Sequence, residues 1–180
     1  MGRRVVVALF LLALVGCSHS SPKPAPMPSV STGTASPSAS GAPSMPAAAE
    51  GTDAAAAKAF AKHYFDVINY ATVTGDTAPL LALSDPSCES CQAIAQNIDR
   101  AYSAGGRIRS QGWEIRLAAV APGATARAQA LDLQVLQHPE TVVASAGHAP
   151  KTYPGGRAAM SIHLRHEGAA WHVARLDLVA

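Results

Sequence analysis

The spacing of hydrophobic residues changes once along the chain, from a helical period to the alternation typical of strands. Residues 54–72 carry apolar side chains at intervals of three and four, which predicts a helix with one buried face. Segments 77–83 and 88–104 follow the same period, and the N-cap of the third helix is expected at Ser87. From Arg107 onward the period is two, so we expect strands from there to the C-terminus.

The strand half is expected to form one bent antiparallel sheet. Trp113, Ile115 and Leu117 alternate with charged residues, as in a half-buried strand. In the next strand the apolar phase jumps between Ala130 and Leu131, which predicts a β-bulge. Residues 148–155 have the composition of a polar loop. Helices followed by strands indicate an α+β fold, with three N-terminal helices packed on a curved antiparallel sheet of four to six strands.

The N-terminus has the features of an export signal. Arg3 and Arg4 precede an apolar run of about eleven residues, which is too short for a transmembrane helix of roughly 20 residues. The end of that run, Leu14-Val15-Gly16-Cys17, resembles the lipobox of bacterial lipoproteins, in which the cysteine is lipidated and the preceding peptide is removed. The resemblance implies a signal peptide over 1–16, palmitate or a similar acyl group on Cys17, and anchorage to the outer face of the cell membrane. The alternative is an ordinary signal peptide with an incidental cysteine.

A low-complexity segment separates this leader from the folded part. Residues 18–51 include seven prolines and nine serines and contain no aromatic residue. Such a composition cannot bury enough apolar surface to offset the entropy of ordering it. We therefore expect residues 17–51 to consist of the lipidated Cys17 and a disordered stalk, and residues 52–180 to form a single domain.

Charge and motifs exclude several classes of function. Without Arg3 and Arg4, the 14 Lys and Arg residues fall to 12, against 12 Asp and Glu. A neutral chain argues against a nucleic-acid partner and leaves the Cys17 lipid as the expected attachment to the membrane. The sequence has no glycine-rich phosphate loop, so no cofactor is expected. No metal site is expected either, because zinc needs four ligands and His163, His166 and His172 do not share one strand face.

Cys88 and Cys91 are the sharpest local signal within the domain. Cysteines three apart in a first helical turn are close enough to form a disulfide, and an exported protein would retain it. The same spacing also occurs in thiol–disulfide exchange sites. However, such sites follow a strand, and Glu89 would raise the pKa of a neighbouring thiol. A structural clip is therefore favoured over redox activity.

Three further segments resemble a known family. Tyr70–Asp76 (Tyr-Ala-x-x-Thr-Gly-Asp), the Cys-x-x-Cys after Asp85-Pro86-Ser87, and Tyr102–Gly106 (Tyr-x-x-Gly-Gly) are similar to an uncharacterised family of actinobacterial lipoproteins, a domain of unknown function. The predicted element order, ending in Trp-His-Val-Ala-Arg-Leu, resembles the cone-shaped fold of the nuclear transport factor two-like superfamily, which includes ketosteroid isomerases. The resemblance implies a fold and a cell-surface location. It implies no activity, because the family is uncharacterised.

The cone fold also implies a pocket between the sheet and the first helix. The side chains assigned to it are Tyr64, Tyr102, Trp113, Ile115, Met160 and Ile162. The assigned strand positions are apolar, so no catalytic residue is assigned and an apolar ligand or another envelope protein is the expected partner. An inward carboxylate or histidine would favour the alternative, a small isomerase or hydratase. An exposed apolar sheet face would instead indicate a protein partner or a homodimer. Thiol–disulfide exchange at Cys88 and Cys91 is the third hypothesis.

Overall fold

The computed structural model describes residues 41–179; the predicted leader, the lipidation site Cys17 and the stalk up to residue 40 lie outside the described residues. The described part has an α+β fold, as the sequence predicts. Its helices are α1 (Ala54–Thr74), α2 (Ala78–Ala82) and α3 (Glu89–Ser103). Its strands are β1 (Arg107–Ser110), β2 (Trp113–Val120), β3 (Ala128–Gln137), β4 (Glu140–Val143), β5 (Lys151–Tyr153), β6 (Gly156–Glu167) and β7 (Ala170–Leu178). Within residues 41–179, no helix is long and apolar enough to cross a membrane.

Both ends of α1 are fixed by local chemistry. Asp53 is the N-cap, and its carboxylate accepts a hydrogen bond from the Ala56 N–H at 2.8 Å. Gly75 ends the helix with φ of 80°, a conformation that favours glycine, and its N–H bonds to the Ala71 carbonyl. The Tyr102 ring lies directly against Gly75, so a side chain at that position would also clash. The helix predicted from residue 54 therefore has a capping residue at its start and a left-handed glycine at its end.

The start of α3 differs from the prediction in its capping residue. Cys88 is the N-cap, and its sulfur accepts the Cys91 N–H at 3.3 Å. Ser87 is instead held by the Asp85 carboxylate, which accepts both its N–H at 2.9 Å and its hydroxyl at 2.6 Å. The turn at Asp85 thus uses the serine that was expected to cap the helix.

The strands form two antiparallel sheets, where the sequence predicts one. A three-stranded sheet has the order β1-β4-β5, and a four-stranded sheet has the order β2-β3-β6-β7. The helices pack against both sheets: α1 contacts β1, β2 and β3, whereas α3 contacts β1 and β7. Strand β5 lies within the segment 148–155, so the prediction of a loop there is wrong in part. Its residues alternate too little in polarity to indicate a strand.

Register shifts occur in β2 and in the pairing of β6 with β7, whereas β3 is regular, so the prediction of a bulge in β3 is wrong. The register of β2 with β3 shifts between Ile115 and Leu117, so the extra residue of β2 is Arg116. The shift turns Leu117 outward, where it is 53% exposed, although the sequence pattern places it inside. In β3 every second residue from Gln129 to Val135 is buried, so one face of the strand is buried throughout. Because Gln129 is polar, the alternation of apolar and polar residues does not show where this face begins.

The core lies between α1 and the four-stranded sheet. Its largest fully buried side chains come from α1, β3, β6 and β7, with Leu80 from α2. These residues are Phe60, Tyr64, Phe65, Val67, Leu80, Leu131, Leu133, Val135, Ile162, Leu164, Trp171 and Val173. The space in which the sequence predicts a pocket is therefore filled by packed side chains.

The folded part begins before residue 52, so the predicted stalk boundary at residue 51 is wrong. Residues 41–51, here called the N-terminal segment, include a 3₁₀ turn at Ala47–Ala49 that packs on α1. Ala49 is 3% exposed, and the Gly51 carbonyl accepts a 2.8 Å hydrogen bond from Trp171 Nε1. The sequence shows only a run of small residues here, because their burial depends on contacts with α1 and with Trp171, which lies 120 positions from Gly51.

Candidate functional site

A pocket of about 400 Å³ lies where α1 and α3 face the junction of the two sheets. We call it the seam pocket. It is lined by Ile68, Thr72, Ile94, Asn97, Ile98, Ala101, Ile108, Trp113, Gln137, Glu140, Val142 and Tyr153. Its volume is within the range of small-molecule sites, about 300–1,000 Å³. The pocket combines branched aliphatic walls with two aromatic rings and a few polar side chains, which is the usual composition of a ligand site.

Trp113 is held at this pocket by its backbone. The Asn69 side chain on α1 accepts a hydrogen bond from the Trp113 N–H at 2.8 Å and donates one to the Trp113 carbonyl at 2.9 Å. Gly112 precedes it with φ of 87°, and the Asn69 amide lies so close that no Cβ would fit. The Trp113 ring packs 6.2 Å from the Phe65 ring, centroid to centroid. One amide therefore fixes the start of β2 on α1.

Sequence reasoning missed Asn69. The helical period assigns it to the polar side of α1, with Lys62 and Asp66, which do form an exposed ion pair at 2.8 Å. Nothing in the local sequence distinguishes Asn69 from those neighbours. Its role depends on a strand that begins 44 residues later.

Among the six predicted pocket residues, Trp113 alone lines the seam pocket. Met160 and Ile162 are 4% and 0% exposed and belong to the core, and Ile115 packs against that core. Tyr102 borders the region without lining it. Its hydroxyl donates to the Thr72 carbonyl at 2.9 Å, which links the end of α1 to α3.

Tyr64 is fully buried, and its hydroxyl is hydrogen-bonded inside the core. Its hydroxyl lies 3.0 Å from Ser84 Oγ, which itself donates to the Leu80 carbonyl at 2.8 Å. Burial raises the pKa of Tyr64 to about 12, and the hydrogen bond with Ser84 opposes this only in part. Tyr64 is therefore a neutral phenol that joins α1 to the end of α2.

Glu140 is the one carboxylate among the pocket-lining residues that the structure describes. It is partly exposed and has no cationic side chain within 4.0 Å among residues 41–179. It lies directly opposite Tyr153 in the pairing of β4 with β5. On β5, the Lys151 ammonium stands 4.6 Å from the centroid of the Tyr153 ring. The pocket thus has an acidic group beside an aromatic ring that already contacts a cation.

Cys88 and Cys91 form the disulfide that the sequence predicts, with their Cα atoms 5.3 Å apart. Both are buried, at 1% and 0% exposure. Ser90, between them, accepts the Leu176 N–H on its hydroxyl at 3.2 Å, which ties this turn to β7. Exchange requires a thiolate to reach a sulfur atom, and these sulfurs are enclosed by the core.

The histidines do not converge on one site. Arg175 donates to His163 Nε2 at 2.8 Å, whereas His166 packs edge-on against Trp171 with centroids 4.8 Å apart. His63 is only 5% exposed beside the N-terminal segment, and burial lowers its pKa. Within residues 41–179 no three His, Cys, Asp or Glu side chains are grouped as a metal site would require.

The chain matches one family model, described as a family of unknown function (DUF6318), over residues 31–177. No curated protein matches it. Among solved structures it is similar to the intermembrane space region of the chloroplast protein ARC6, with 10% identity and a TM-score of 0.50; the match covers 71% of this chain and 97% of that one. At this identity the likeness concerns the fold alone.

Two other solved structures are less similar. A nuclear transport factor two-like protein from Anabaena variabilis has 9% identity and a TM-score of 0.37, covering 67% of this chain and 87% of its own. A polyketide cyclase-like protein from Pseudomonas putida has 14% identity and a TM-score of 0.34, covering 67% and 90%.

Proposed function

We propose that this chain, which belongs to the family of unknown function DUF6318, is a lipid-anchored envelope protein whose domain binds a small, largely apolar molecule. The seam pocket is the observation that carries the proposal. It offers Ile68, Ile94, Ile108 and Val142 as an apolar wall and Trp113 as a rigid aromatic surface. Burial of a ligand against such surfaces is favourable at about 25 cal/mol for each Å² removed from water.

The envelope location is part of the same proposal. It rests on the apolar run before Cys17 and on the lipobox-like residues Leu14 to Cys17. The buried Cys88–Cys91 disulfide is compatible with it, because disulfides persist in oxidising compartments. A single acyl chain binds membranes only weakly, so stable anchorage would require more than one chain on Cys17.

A small pocket enzyme of isomerase or hydratase type is the second candidate. Glu140 favours it, since an inward carboxylate is the group that acid–base chemistry would use. However, the other polar lining groups are the Thr72 and Tyr153 hydroxyls, the Asn97 and Gln137 amides and the Trp113 indole N–H. None of them is a histidine or a second carboxylate. A carboxylate alone supports binding more directly than catalysis.

Thiol–disulfide exchange has little support. The two sulfurs are buried, and the cysteine that would attack in its reduced state also caps α3. An envelope protein partner is supported only by exposed apolar side chains such as Leu117 and Leu178.

Native mass spectrometry of the full chain, extracted from membranes and purified, tests the binding function. We expect a discrete added mass that is lost after extraction with organic solvent. The matched variant is Ala101→Trp, which places an indole in the pocket from α3. The added mass should be absent from this variant, while thermal unfolding shows that the domain still folds.

Two results would contradict the binding function. The first is a wild-type chain of bare mass after gentle extraction that also fails to take up apolar probes. The second is an added mass that Ala101→Trp retains, because the molecule would then be bound elsewhere. Turnover of a probe that Glu140→Gln abolishes would support the enzyme instead.

A further inference from the structure

We infer that the seam pocket selects small apolar amines in their protonated form, with Glu140 as the residue that determines this specificity. The inference rests on the proposed binding function and names its ligand class. It is carried by the position of one carboxylate in an otherwise neutral pocket. Its test separates failure of the ligand class from failure of the pocket itself.

Glu140 is the charged residue among the pocket-lining residues that the structure describes. The lining residues include Glu140 and no lysine or arginine among those the structure describes. Glu140 also has no cation within 4.0 Å among residues 41–179. A carboxylate accepts hydrogen bonds and donates none, so it attracts donors and repels anions. A ligand that carries a carboxylate or phosphate would bring two negative charges together at this wall.

The Glu140 carboxylate has an aromatic neighbour on the adjacent strand. Glu140 lies opposite Tyr153 across β4 and β5, and both line the pocket together with Trp113. Aromatic faces attract cations through the ring quadrupole. A protonated amine could therefore contact a carboxylate and an aromatic ring at once, which a neutral alcohol could do only in part. Charge-assisted hydrogen bonds are roughly twice as strong as neutral ones.

Lys151, on the same strand as Tyr153, shows that this ring attracts a cation. Its ammonium stands 4.6 Å from the Tyr153 ring centroid and is not among the pocket-lining groups. It forms no ion pair with Glu140 within 4.0 Å.

The remaining lining groups set the shape of the ligand. The branched side chains of Ile68, Ile94, Ile98 and Ile108 present no hydrogen-bonding groups, so the body of the ligand must be hydrocarbon. The amides of Asn97 and Gln137 can serve one further polar atom. A bicyclic aromatic or a branched aliphatic group with a single amine has the required chemistry.

Three probes with one carbon skeleton test the inference on the full purified chain. They are 2-naphthylmethylamine, 2-naphthylmethanol and 2-naphthoic acid, titrated by calorimetry at neutral pH. We expect the amine to bind about tenfold more tightly than the alcohol, a ratio that corresponds to about 1.4 kcal/mol, and the acid to bind weakest. In Glu140→Gln the advantage of the amine should disappear, while affinity for the alcohol changes little. Glu89→Gln, an exposed carboxylate on α3 outside the pocket, is the matched control and should keep the wild-type order.

The outcomes distinguish the two proposals. If the alcohol binds as tightly as the amine, and Ala101→Trp abolishes both, the pocket is real and the ligand class is wrong. If Glu140→Gln keeps the preference for the amine, Glu140 does not determine it and the inference is overturned. If none of the probes binds, the inference is also overturned, and the added-mass measurement decides the binding function separately.

Discussion

Replacing both cysteines tests whether the Cys88–Cys91 bridge is a structural clip. A disulfide that closes a four-residue loop contributes about 2 kcal/mol in the chain-entropy description. Cys88 also caps α3 through its sulfur, and loss of an N-cap costs about 1 kcal/mol. We therefore expect Cys88→Ala/Cys91→Ala to lower the free energy of unfolding by about 3 kcal/mol.

A second double variant separates the two contributions. In Cys88→Ser/Cys91→Ala the bridge is lost, but the serine hydroxyl can accept the backbone N–H that the Cys88 sulfur accepts now. This variant should be about 1 kcal/mol more stable than the double alanine variant. Both lack the Cys91 sulfur, so the empty volume at this 0% exposed position is the same in the two proteins and cancels in the comparison.

Urea unfolding followed by tryptophan fluorescence measures these differences. Trp113 and Trp171 report on the start of β2 and on the core. The dependence of the unfolding free energy on urea should stay similar among the folded variants, because the native surface is unchanged. Equal stability of the two double variants would refute the capping role, and a double alanine variant as stable as the wild type would refute the clip altogether.

Four other predictions follow from individual side chains. Asn69→Ala removes both hydrogen bonds to the Trp113 backbone, so we expect a loss of about 1–3 kcal/mol in urea unfolding together with weaker binding of the naphthyl probes. Because the folded pKa of Tyr64 is raised to about 12, stability should fall by up to about 2.7 kcal/mol as pH rises from 10 to 12, and Tyr64→Phe should lack this decline. Because burial lowers the pKa of His63 in the fold, stability should fall as pH drops below 6.5, the N-terminal segment should exchange amide hydrogens faster, and His63→Gln should show a smaller change. Labelled palmitate should be incorporated into the wild-type chain and not into Cys17→Ser; incorporation into both would refute lipidation at Cys17.

Most helices and strands could be predicted from the sequence because their signals are local. The helix predicted from residue 54 has its cap at Asp53 and its stop at Gly75, so both of its ends depend on neighbouring residues. The disulfide is equally local, since Cys88 and Cys91 share one helical turn. These features are set by backbone geometry and by capping, which a short window of sequence contains.

The site could not be predicted in the same way. A single inserted residue, Arg116, reverses the faces of β2, so the alternation that assigns Leu117 to the interior fails after that position. The strands form two sheets, and the cavity lies at the junction of these sheets and not in the packed core. Glu140 and Tyr153 pair there across β4 and β5, two short strands in which apolar and polar residues hardly alternate. Sequence alternation shows which residues share a face but not how two sheets meet.

The hydrogen bond between Trp171 and Gly51 has a consequence for the order of folding. It joins residues 120 positions apart, and the bond from Leu176 to Ser90 spans 86 positions. Contacts this distant in sequence form slowly, because the intervening chain must first be closed into a loop. The domain therefore has all of its contacts only when both the N-terminal segment and the last strand, β7, are in place. A chain that is threaded through a membrane N-terminus first could form neither bond until its final strand emerged.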